Sequence, residues 1–100
     1  MEEVVKIKVG EKEYDVTIGV ITFEQWAELI DKYVRFGADG KPEVVNLGQM
    51  GLMLVYYSIK SVSPKAYKND KEKLKWIKNL PANESVKLYG VAMKINPLMG

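Results

Sequence analysis

The residues best placed to do chemistry in this sequence are lysines. Lys68, Lys71, Lys75 and Lys78 follow one another at spacings of three, four and three, one face of a helix, with Lys60, Lys65 and Lys73 nearby. Tyr67 and Trp76 are interleaved with them. Cations beside an exposed ring can hold phosphate and stack a base, so polyanion binding is one chemistry open to this stretch. The plainer reading, a solvated face with Trp76 packed beneath it, is favoured. Nucleic-acid surfaces rely on arginine for bidentate contacts, and this stretch has none; fourteen lysines in the chain stand against the single Arg35. Lysine- and glutamate-rich surfaces also occur in heat-stable proteins.

Other reactive groups are sparse. There is no Cys, so no thiolate or disulfide framework, and no His, so the commonest general base and neutral metal ligand are missing. Glu24 and Glu28 stand one turn apart, while Glu2, Glu3 and Asp39 fall at the start of the chain or in a turn. An acid/base or metal site needs carboxylates converging in a pocket; these alternate with lysines instead. Asp39-Gly40 lacks the further acids of a calcium loop, and no Lys-Ser or Lys-Thr follows Gly48 and Gly51 to make a phosphate cradle. The expectation is a protein that is not an enzyme, with no cofactor and no metal.

The elements that must carry these residues can be read from periodicity. Val5, Ile7 and Val9 alternate with Lys6 and Lys8, and Tyr14, Val16 and Ile18 alternate with Glu13, Asp15 and Thr17. With Gly10-Glu11-Lys12 as a polar turn, residues 4–19 read as a β-hairpin whose lysines face acids across the strands. Thr22-Phe-Glu-Gln25 matches a capping box, with Ile21 and Trp26 placed for a hydrophobic staple. A helix over about 22–36 follows, with Phe23, Trp26, Ala27, Ile30, Tyr33 and Val34 as its apolar stripe and Gly37 as its left-handed stop. Ser63-Pro64 suggests a capped short turn of helix through Tyr67. Asn69 caps a helix over 70–79 with Leu74, Ile77 and Leu80 inward. A last helix runs over about 82–96, with Leu88, Val91, Ala92 and Ile95 on one stripe, before Asn96-Pro97 stops it.

The segment Val44–Ile59 carries no charge over sixteen residues. As a helix it spans about 24 Å, short of the roughly 30 Å of a bilayer core, so no membrane span is expected. A helix over about 45–61, buried on nearly all sides, is the favoured reading. The other is a contact face of Met50, Met53, Tyr56 and Tyr57 covered by a partner or a second copy, since Met adapts to irregular surfaces and Tyr is enriched at interfaces. Gly48 and Gly51 either admit a neighbouring helix closely or interrupt this one.

Composition agrees with one small folded domain over residues 1–100: 47% hydrophobic and 28% charged residues, without repeats or linkers. The fold class is α+β, an N-terminal antiparallel hairpin packed on a bundle of four or so helices. The net charge of +2 hides a split: six bases and ten acids through residue 59, then nine lysines against Asp70, Glu72 and Glu84. Such a dipole can attract a partner. The first residues lack a basic stretch followed by an apolar one, so a cytoplasmic location is expected.

The hairpin written Val-Lys-Ile-Lys-Val and Tyr-Asp-Val-Thr-Ile leads into a helix opening Ile-Thr-Phe-Glu-Gln. An apolar central helix follows, then Trp76-Ile-Lys-Asn-Leu-Pro81 and a closing helix. This order, over most of the chain, resembles small morphogenesis proteins of tailed bacteriophages, in particular tail assembly chaperones. The resemblance implies a non-catalytic protein that binds the tape-measure protein, keeps its long apolar helices from aggregating and assists tail-tube assembly. It also implies a short form and a frameshift-extended form, this chain having the size of the short one. A tail, neck or baseplate subunit of the virion, or a small lysine-rich nucleic-acid-binding protein, are the competing expectations.

Overall fold

A computed structural model describes residues 1–98 of the chain. The alternation near the start forms two strands, β1 (Glu2–Val9) and β2 (Lys12–Gly19), paired antiparallel with Val9 opposite Lys12. Gly10 and Glu11 form the two-residue turn, and Gly10 takes a φ of 64°, which only glycine adopts freely. Lys6 faces Asp15 and Lys8 faces Glu13, and the Lys6 ammonium lies 4.0 Å from the Asp15 carboxylate.

Helix α1 (Phe23–Tyr33) opens on the expected capping box: Thr22 Oγ1 accepts from the Gln25 N–H at 3.1 Å, and Gln25 Oε1 accepts from the Thr22 N–H at 2.9 Å. It ends three residues short of the expected bound at 36. Val34–Phe36 is a short strand, β3, paired antiparallel with β4 (Pro42–Val44). β-Branched Val34 and aromatic Phe36 suit a strand, and Arg35 lies opposite Glu43. The left-handed glycine here is Gly40 in the connecting turn (φ 78°), not Gly37. The apolar stripe of α1 also shifts: Leu29 is its buried residue, while Phe23 (80% exposed) and Trp26 stack on each other at 5.7 Å, turned toward solvent.

Helix α2 covers Leu47–Ser58, shorter at both ends than the uncharged run. Its last expected turn is instead strand β5 (Ile59–Ser63), which pairs antiparallel with β2 to complete a sheet ordered β1-β2-β5. The expected turn of helix after Ser63 is absent, since residues 64–67 run without regular structure. Helix α3 (Asp70–Lys78) is capped by Asn69, whose Oδ1 accepts from the Glu72 N–H at 2.9 Å. Helix α4 (Ala82–Ile95) closes the described chain.

The α+β architecture is thus a three-stranded sheet with four helices and a small second hairpin among the described residues. The sheet's inward residues Ile7, Val16 and Ile18 pack with Leu29 of α1, Leu54 of α2 and Leu88 of α4, all essentially inaccessible to water. Each such side chain contributes about 1.5–3 kcal/mol of burial. Helix α4 runs against the hairpin: Lys94 pairs with Glu3, and Glu84 Oε1 accepts from the Lys8 backbone N–H at 2.8 Å.

Candidate protein-binding groove

The uncharged character of α2 is spent on two different neighbours. One side of the helix enters the core: Met50 is only 2% exposed, and Leu54 and Val55 are buried with it. Met53, Tyr56 and Tyr57 are half-buried and pack against the same core. The expected contact face therefore does not form one open surface, and Met50 is a core residue. Burial pushes the Tyr57 hydroxyl up to about 12, with a hydrogen bond to Glu28 reinforcing it, and burial also raises Tyr56. The Lys73 ammonium lies 4.9 Å from the centre of the Tyr56 ring and donates to the Ile59 carbonyl at 2.8 Å. Desolvation there lowers its pKa.

The flank of α2 adjoining its core side stays open, with buried Gly51 and Val55 shared between the two. Leu47, Gly48, Gly51, Leu52 and Val55 form one wall of an apolar groove of about 500 Å³, with Ser85, Val86 and Tyr89 of α4 as the other wall. Ile77 and Leu80, at the end of α3 and just beyond it, also line it. Spacings of three and four along α2 place these residues together. Gly51 lets α4 close in: a Cβ there would stand 3.0 Å from the Tyr89 ring. Gly48 meets nothing within 4 Å and leaves the groove wide at its mouth. Leu47 (58% exposed) and Val86 (64% exposed) form apolar lips on the two walls.

Charge enters from one side only. Lys78 is the single charged residue lining the groove. It ends the row Lys71, Lys75 and Lys78, all exposed on α3, whereas Lys68 precedes the helix and is exposed too. The aromatic interleaved with them is occupied. Trp76 is half-buried against the core, in a T-shaped contact with Tyr14 at 5.5 Å and 5.9 Å from Tyr67, so the ring is engaged in packing rather than standing free beside the lysines. Among the described residues no group of three acidic side chains converges to hold a metal ion, and no helix is long and apolar enough to cross a membrane.

Sequence reasoning missed the groove residues Leu47, Leu52, Val86 and Tyr89. The signal available was the glycine pair at 48 and 51 within an uncharged helix, which marks where a second helix approaches. No protein-family model, curated protein or solved structure matches this chain.

Proposed function

We propose that the protein is a non-catalytic binding factor that holds an apolar helix of a partner protein in the groove between α2 and α4. The observation that carries this reading is the groove itself: an open, almost wholly apolar channel with exposed Leu47 and Val86 as its lips. Amphipathic helices dock in such grooves through side chains one turn apart. Ser85, Tyr89 and Lys78 are the polar lining residues and can meet polar groups at the margin of such a helix. The particular partner we propose is a phage tape-measure protein or another tail protein with long apolar helices, which makes this chain a tail assembly chaperone working in the host cytoplasm. What supports that assignment is the sequence resemblance carried by the first hairpin, the Ile-Thr-Phe-Glu-Gln helix start and the Trp76–Pro81 stretch before the closing helix.

Co-expression tests it. The protein should keep a helical tape-measure segment soluble, and Leu47→Asp or Val86→Asp should abolish that protection. Both side chains are already exposed, so each variant should retain its fold by circular dichroism. Protection unchanged in both variants would remove the groove from consideration. The exposed lysine row keeps polyanion binding as the second reading. It requires steep salt-dependent DNA or RNA binding that disappears when Lys71, Lys75 and Lys78 are neutralised.

A further inference from the structure

Strand β1 lies at the edge of the three-stranded sheet, and its Lys8 N–H donates outward to Glu84 rather than to β2. Alternate residues of a strand direct their backbone groups to the same side, so the N–H groups of Glu2, Val4 and Lys6 also point outward. No side chain among the described residues accepts from Val4 or Lys6 as Glu84 does from Lys8. The side chains of Glu2, Val4 and Lys6 share the exposed face, and Val4 is 64% exposed. An open strand edge with an exposed valine is a template for another strand.

We infer that this edge pairs antiparallel with β1 of a second copy about a two-fold axis at Val4. In that register Val4 meets its twin, and Glu2 of each copy lies opposite Lys6 of the other. A β-branched pair is thereby flanked by two opposite-charge pairs, the arrangement that stabilises neighbouring strands. The alternatives are worse. An axis at Val5 needs the Lys8 N–H, which Glu84 already holds, and an axis at Lys6 sets Lys6 against Lys6. The Val4 register is the longest that leaves the Lys8–Glu84 bond intact. The contact is isologous and closes on itself, joining three strands from each copy into one sheet. The area covered is small, so association is reversible and concentration-dependent.

Sedimentation equilibrium over a concentration series tests the pairing. The wild-type chain should move from monomer to dimer as concentration rises. Val4→Pro removes an outward N–H that the monomer does not use, and proline is tolerated on an edge strand; the dimer should be lost while circular dichroism is unchanged. Glu2→Lys turns both flanking pairs repulsive and should weaken association about tenfold. Adding Lys6→Glu should restore it. Should Val4→Pro unfold the chain, the charge exchange alone decides. A monomer at every soluble concentration, a dimer indifferent to Val4→Pro in a folded chain, or a double exchange that fails to rescue would each overturn the inference. Leu47→Asp in the groove should leave this equilibrium untouched.

Discussion

Asn96 and Glu84 show how much single polar side chains contribute inside this fold. The Asn96 amide donates to the Gly19 carbonyl at 3.1 Å, to Ser58 Oγ at 3.3 Å and to the Ala92 carbonyl at 3.2 Å. Its oxygen accepts from the Ile21 N–H at 2.9 Å. One buried residue thus satisfies the ends of β2, α2 and α4 and the approach to α1. Asn96→Ala should cost about 2–3 kcal/mol, because the Gly19 carbonyl and the Ile21 N–H lose the side-chain partner that ties them to α4; urea unfolding measures this. Glu84 is buried beside the hairpin and pairs with Lys87. The Lys87 ammonium, and then the hydrogen bond from the Lys8 backbone, hold its carboxyl below its ordinary value of 4.5. A lowered folded pKa adds stability that is present above pH 4.5 and is lost as pH falls through the folded value. Between pH 7 and pH 3, thermal unfolding should therefore lose less in Glu84→Gln than in the wild type.

At the scale of elements, α2 divides its surface between core and groove. Leu54 is fully buried, and Leu54→Ala should destabilise by about 3–4 kcal/mol in chemical denaturation. Gly48 lines the groove with open space above it. Gly48→Leu should fold at least as stably as wild type, since leucine favours a helix by about 0.5–1 kcal/mol over glycine. It should nevertheless block the partner helix by filling the groove, and co-expression separates the two effects. The hairpin, the capping box of α1 and the bounds of α4 were legible because each rests on local spacing. The changes at residues 34–36 and 59–61 were not. Val34 and Ile59 fit a helical stripe as well as a strand, and what decides is hydrogen bonding to Val44 and Ile18, distant in the chain for Ile59.

Over the whole molecule, the described chain measures 49 by 25 by 22 Å, with a radius of gyration of 14.1 Å, against about 13 Å for a compact domain of this length. The β3–β4 hairpin carries exposed Phe36 and Val44. The core cluster nonetheless draws on the sheet and every helix. Unfolding should accordingly be one cooperative transition, with Trp fluorescence and far-UV circular dichroism coinciding in urea; Trp76, packed on Tyr14, reports the core. Separate transitions would show that the elements do not share one core.

The sequence by itself determined the α+β class, the first hairpin and its register of lysines against acids, and the caps and phases of the later helices. Those features depend on residues within a turn or a strand of one another, where spacing alone sets the geometry. Only the tertiary structure decided which side of α2 is spent on the core and which stays open. An uncharged helix has no polar face to mark its outer side, so its neighbours make that choice. Packing placed Met50 inside and left Leu47 and Gly48 at the mouth of a groove. It likewise brought the lysine row of α3 to that groove through Lys78, and packed Trp76 against Tyr14, a residue sixty-two positions away in the chain.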